Sequence, residues 1–155
     1  MTERCDLSTR VDTDGADGQP RDDPVAYHRP VDPIEAARAW VDAWMGGWIG
    51  HDADVIASRY ADECEFRSHP FREAVHGSEG ARQYALQAFT QEHSARPSFG
   101  EPIVAPDGRA AVEYRAEITT PNADQVTLAG VTVLRFDDEG LVIDHRDYWA
   151  MEARR

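Results

Sequence analysis

Near residue 97 the spacing of apolar residues changes from helical to extended. Before that point large apolar side chains recur at intervals of three and four. After it they alternate with polar ones. Helices followed by strands can hide both kinds of apolar face by packing the helices on one side of a sheet. The predicted class is therefore α+β: about three helices with one interposed strand, then four strands of a mostly antiparallel sheet.

The first helix is read in "VDPIEAARAWVDAWMGGWIG", residues 31–50. Asp32 suits the cap, Pro33 the first helical position, and Glu35 the capping-box spacing. Its apolar stripe is Ile34, Ala37, Trp40, Val41, Trp44, Met45 and Trp48. A second helix is expected over 53–61, capped by Asp52, with Val55, Ile56 and Tyr60 inward. "CEFRSHPF" reads as a strand with Cys64, Phe66 and Ser68 on one side, ended by Pro70. Residues 71–77 read as a loop. Ser78 is expected to cap a third helix with the stripe Ala81, Tyr84, Ala85, Ala88 and Phe89. Strands are expected near 98–105, 109–119, 126–136 and 140–149, with "APDG", "TPNAD" and "DDEG" as turns.

Residues 1–30 are poor in large apolar groups and read as a disordered acidic tail. That leaves one domain, 31–153. The chain of 155 residues carries a formal charge of -13, which opposes nucleic acid and anionic membranes as partners. All 16 basic residues are arginine, so Schiff-base and phosphate-loop lysine chemistry is excluded. Cys5 and Cys64 are isolated, and His69, His76 and His93 lack ligand spacing, so no metal is expected. There is no dinucleotide fingerprint, and no cofactor is expected. With no long apolar run and no leader pattern, the default location is the cytoplasm.

The last predicted strand, "LVIDHRDYWA" (141–150), poses the functional question. Alternation puts Leu141, Ile143, His145, Asp147 and Trp149 on one face. That face begins and ends apolar, yet its middle is ionisable. Such groups either satisfy loop or helix-end partners or face a cavity, where a carboxyl among apolar walls can exchange protons near neutral pH.

The segments "RYADECEFRSHPF", "HGSEGARQY" and "GVTVLRFDDEGLVIDHRDYW", with the tryptophan-bearing first helix, resemble the SnoaL-like branch of the nuclear transport factor 2-like superfamily. The resemblance covers about residues 33 to 150. It implies a curved sheet wrapped by helices into a cone around a deep pocket. It also implies pairing of two copies through the outer sheet face, where strand 126–136 offers Thr127, Ala129, Val131, Val133 and Arg135. Members include polyketide cyclases, ketosteroid isomerase and limonene epoxide hydrolase.

Three members give different site expectations. Similarity to limonene epoxide hydrolase puts Asp147 at one carboxylate of an Asp-Arg-Asp triad, with Arg115 and Glu117 of "VEYRAEI" at the spacing of the other two. Glu117 replaces an Asp there, and Phe66 and Ser68 replace water-positioning Tyr and Asn. Against ketosteroid isomerase, His69 holds the place of the base. The SnoaL-type cyclases use an aspartate and a histidine, the residue types of Asp147 and His145. Arg72, Glu73 and His76, in the loop at the pocket mouth, are further substrate-facing candidates.

These readings imply a cofactor-free acid/base enzyme of isomerase, cyclase, dehydratase or epoxide-hydrolase type, acting on an apolar small molecule. Asp147, His145, Arg115 and Glu117 are the catalytic candidates. Trp40, Trp44, Tyr60, Phe66, Ser68 and Trp149 are the candidates for substrate binding. The alternative is a ligand-binding or dimerisation module of the same fold, and a homodimer is expected either way.

Overall fold

A computed structural model describes residues 29–153. Residues 1–28 of the predicted tail, Cys5 among them, lie outside the described residues. The element order is α1 (Pro33–Gly50), α2 (Ala53–Ala57), β1 (Tyr60–Arg67), β2 (Val75–His76), α3 (Gly77–Phe89), β3 (Ser94–Phe99), β4 (Ile103–Val104), β5 (Ala110–Thr119), β6 (Gln125–Phe136) and β7 (Val142–Ala153).

Helix α1 begins where its sequence dictates. Asp32 is extended, and its side chain accepts from the Ile34 N–H at 3.0 Å, satisfying one free donor of the first turn. His51 ends the helix in the left-handed region. Ala37, Trp40, Trp44 and Trp48 form its buried stripe, while Met45 is only half-buried.

Two helical expectations are corrected. Helix α2 stops at Ala57, not residue 61, and Val55 is exposed. Tyr60 instead opens β1, because it pairs with Val142 of β7 far along the chain. Ser78 does not cap α3. His76 holds the cap position without a side-chain bond, and the Ser78 hydroxyl donates to Asp62 Oδ1 at 3.1 Å. The end of the predicted 71–77 loop forms the short β2.

The sheet runs β2-β1-β7-β6-β5-β3, with β4 paired beside β3 along β5. All pairs are antiparallel except β1 with β7. The strand expected at 98–105 is split into β3 and β4, because the chain detours through Gly100 and Pro102 before rejoining β5. Helix α1 lies over β3, β5 and β6, while α3 lies over β1, with α2 packed against both helices. This is the α+β cone: a curved mixed sheet closed on one side by the N-terminal helices. Among the described residues no helix is long and apolar enough to cross a membrane.

Strand β7 departs from simple alternation. Arg135 pairs with Asp144, but Phe136 pairs with Val142, so Ile143 is extra in the ladder. This bulge moves Val142 into the core in place of Leu141 and Ile143. Beyond it, His145 and Asp147 are buried as expected.

Candidate active site

His145 and Asp147 are two apart on β7, so they share its inner face. His145 is 1% exposed and Asp147 7%. Each has a partner fixed by strand register. Thr132 of β6 stands opposite Asp147, and its hydroxyl donates to Asp147 Oδ1 at 2.6 Å. Phe66 of β1 stands opposite His145, with ring centroids 3.9 Å apart. Nε2 of His145 lies 2.8 Å from the same Oδ1, yet the N–H is not aimed well enough to count as a hydrogen bond. The pair is a close polar contact, short in distance but off the hydrogen-bond axis. Asp147 Oδ2 takes part in neither contact.

The other edge of the imidazole is fixed by counting donors. The Tyr60 oxygen accepts from Trp40 Nε1 at 3.0 Å and from Trp44 Nε1 at 2.9 Å. An indole N–H can only donate, so both lone pairs of the phenol are occupied. The remaining contact, 2.8 Å to His145 Nδ1, must use the phenol's own proton. Nδ1 is therefore an acceptor, and neutral His145 carries its proton on Nε2, beside Asp147. Burial pushes the Tyr60 phenol well above its ordinary pKa, which keeps that proton in place.

In front of this pair is a cavity of about 390 Å³. Its inner end is Trp40, Thr132, His145 and Asp147. Its outer end is Trp48, Gln91, Glu92, Thr120, Val126 and Met151. Thr132 is 1% exposed and Met151 60%, which marks the direction of the opening. Most of the wall between is apolar or aromatic, with Tyr84 and Tyr114 adding two phenols. Burial first, and the Asp147 charge second, push both phenols above their ordinary pKa. Both keep their phenolic protons. At the outer end Trp48 Nε1 donates to Glu92 Oε2 at 2.8 Å. Burial raises the Glu92 pKa and the indole bond opposes it.

The sequence candidates divide into four groups. Asp147, His145, Trp40, Trp44 and Trp149 line the cavity. Tyr60, Phe66 and Ser68 do not; they form the buried layer behind it, where Tyr60 and Phe66 hold the imidazole and Ser68 hydrogen-bonds Tyr84. Arg115 and Glu117 lie on the opposite face of β5 from the cavity-lining Tyr114 and Ile118, so the arginine-carboxylate triad is not assembled. The physical reason was legible: Val112, Tyr114, Ala116 and Ile118 form the apolar alternation, and the charged residues fall between them. Of the mouth loop, Arg72 stands 5.9 Å over the Trp149 ring, and Trp149 Nε1 donates to the Ser68 carbonyl at 2.7 Å. Neither Arg72, Glu73 nor His76 belongs to the cavity wall.

Thr132, Tyr84, Tyr114 and Glu92 were not singled out as site residues. The alternation of β5 could have identified Tyr114. Strand β6 puts Val126, Leu128, Gly130, Thr132, Leu134 and Phe136 on one face, where Thr132 is the one hydroxyl, a signal that could have marked it. Among the described residues, no three His, Cys, Asp or Glu side chains gather into a metal-holding group.

A family model described as SnoaL-like domain matches residues 22–145. Among solved structures, a hexachlorocyclohexane dehydrochlorinase is similar with a TM-score of 0.69 at 12% identity, over 78% of this chain and 88% of that one. The epoxide hydrolase/cyclase-like enzyme of pyran ring formation in the polyether salinomycin is similar with a TM-score of 0.65 at 20% identity, over 79% and 95%. A Δ5-3-ketosteroid isomerase from Mycobacterium sp. is similar with a TM-score of 0.60 at 22% identity, over 80% and 100%. At these identities the likeness is one of fold. No curated protein matches the chain in sequence.

Proposed function

The chain belongs to the SnoaL-like domain family, and on that premise we propose that it is a cofactor-free acid/base enzyme acting on a small apolar molecule. One observation carries this reading. Asp147 is buried, its Oδ1 is held by Thr132 and approached by His145, and it lines a largely apolar cavity. A carboxylate fixed through one oxygen presents the other in a defined direction, which is what proton abstraction requires.

In this mechanism Asp147 Oδ2 takes a proton from an acidic C–H or O–H of the bound molecule. Negative charge then develops on a substrate oxygen or an incipient leaving group. Tyr84 and Tyr114 donate to that charge, as fixed dipoles in a site of little water. Asp147 returns the proton to a different atom in an isomerisation or ring closure, or keeps it until product leaves in an elimination. Epoxide hydrolysis of the Asp-Arg-Asp kind is left out of this reading, since Arg115 and Glu117 face away.

The test is proton exchange at carbon. The purified protein is first examined by native mass spectrometry for a co-purifying molecule. A panel of apolar ketones and that molecule are then incubated in heavy water, and deuterium uptake is followed by NMR. Uptake that depends on Asp147 supports the reading. Tight binding with no turnover on any compound returns the non-catalytic ligand-binding alternative.

The same proposal includes a homodimer through the outer face of β6, where Ala129, Val131 and Val133 offer a flat surface. Light scattering at micromolar concentration tests it, and a monomer mass removes it.

A further inference from the structure

The two ends of the cavity both carry a carboxylate, and no arginine lines the wall between them. At the inner end is Asp147. At the outer end is Glu92, half-buried, with Oε2 bonded to the Trp48 indole. Among the described ion pairs Glu92 takes no part. Arg72, the guanidinium of the 71–77 loop, is exposed, stands over Trp149, and is not part of the wall. His145 supplies no compensating proton on Nδ1, because that nitrogen accepts from Tyr60.

A carboxylate withdrawn into an aromatic wall loses hydration and gains one indole bond in return. Such a group is normally paired when buried. A ligand with a positive end would supply the missing partner. Trp44, Trp48 and Phe89 line the same wall, and aromatic side chains add to the attraction of a cation. An anionic ligand would meet repulsion at both ends, within a molecule whose formal charge is already -13.

The helix sets the separation of the ends. Trp40 touches the His145 ring edge-on, and Trp48 holds Glu92. They are eight positions apart on α1, a distance of about 12 Å at the helical rise. We propose that Glu92 determines specificity, and that the cavity takes an elongated apolar organic amine whose ammonium group sits at Glu92. This rests on the acid/base reading only for the identity of the reacting end.

The experiment uses binding, so it is independent of turnover. Phenylbutylamine, phenylbutanol and phenylbutyrate share one apolar body and differ in the charge of one end. Each is titrated into the full chain at neutral pH by calorimetry, with indole N–H resonances followed by NMR. The amine is expected to bind at least about tenfold more tightly than the alcohol, the scale of one charge-assisted hydrogen bond, with the butyrate weakest. The Trp48 indole signal should move more than those of Trp40 and Trp44. Glu92→Gln keeps an acceptor for Trp48 but removes the charge, so it should bring amine and alcohol to equal affinity. The preference should survive Asp147→Asn. Equal binding of amine and butyrate to the unmodified chain would overturn the proposal, as would a shift confined to Trp40 and Trp44. A preference lost in Asp147→Asn but kept in Glu92→Gln would also overturn it. The indole readout needs no variant, so it decides even if Glu92→Gln does not fold. Proton exchange without amine preference would sink this inference alone; amine preference without exchange would sink the enzyme reading alone.

Discussion

The inner and outer ends of the cavity treat their polar groups differently. Around His145, three elements converge: α1 brings Trp40 and Trp44, β1 brings Tyr60 and Phe66, and β6 brings Thr132 against Asp147. Both lone pairs and the proton of Tyr60 are committed. Around Glu92 there is one indole N–H and the rim of the opening. The inner end is thus ordered before any ligand arrives, as acid/base chemistry demands. The outer end keeps unspent hydrogen-bonding capacity, as recognition demands. Burial follows the same gradient, from Thr132 at 1% exposed to Met151 at 60%.

The sharpest way to break this contrast is at Asp147. Asp147→Asn preserves an oxygen for the Thr132 hydroxyl but removes the proton-accepting carboxylate. Turnover should fall by roughly two to four orders of magnitude, with the circular dichroism spectrum unchanged. A variant of lower stability but near-normal turnover would make the residue structural.

Tyr60→Phe attacks the same end from behind. It leaves the Trp40 and Trp44 indoles without their acceptor and Nδ1 of His145 without its donor. Two orphaned buried donors should cost at least about 2 kcal/mol in denaturant unfolding. The nitrogen NMR spectrum gives a readout that packing loss alone would not move. His145 should show a protonated Nε2 in the unmodified chain and a mixture of tautomers in the variant. A protonated Nδ1 in the unmodified chain would contradict the donor count.

Between the two ends, Gly130 lies opposite Trp149. A Cβ there would stand 2.5 Å from the Tyr148 carbonyl oxygen and 2.6 Å from Trp149 Cβ, so β6 and β7 would have to part. Gly130→Ala should lower stability by about 1–3 kcal/mol in chemical unfolding, the range of an overpacked core.

A smaller effect is expected at Thr132. Thr132→Val keeps the shape and removes the hydroxyl that fixes Asp147 Oδ1. The loss of one hydrogen bond, about 1–1.5 kcal/mol, should reduce kcat by roughly tenfold, with little change in KM.

The smallest expected effect is a pH dependence at the outer end. Burial raises the Glu92 pKa, so the folded chain holds that proton more tightly than the unfolded one. Its contribution to stability is therefore most favourable below the ordinary carboxylate range. It declines as the pH rises from the ordinary pKa to the raised one, and stays lower beyond. Glu92→Gln should flatten this decline in thermal unfolding followed across that window. An unchanged slope would show that Glu92 is better solvated than its position implies.

Much of this site could be read from the chain, and the failures are informative. The face of Asp147 and His145 followed from alternation, although Leu141 and Ile143 were placed on it wrongly. An inserted residue resets a period of two without leaving a mark in composition. Arg115 and Glu117 were chosen for their spacing, against an apolar alternation in the same strand that turned them outward. Local periodicity was the better guide, because it reports the direction of each side chain directly.

The change from helices to strands, the Asp32 cap, and the tryptophan stripe of α1 were determined by the sequence itself. Each depends on residues within a few positions of one another, where backbone geometry and side-chain chemistry act together. Tertiary structure alone decided the parallel pairing of β1 with β7. That pairing withdrew Tyr60 from a predicted helix and set its hydroxyl against His145, 85 residues away. It also decided which oxygen of Asp147 is held, through the register of β6, and how far Glu92 stands from it. Contacts of this kind depend on closing long loops and burying shared surface, and no local pattern encodes which distant partner will satisfy a given polar group.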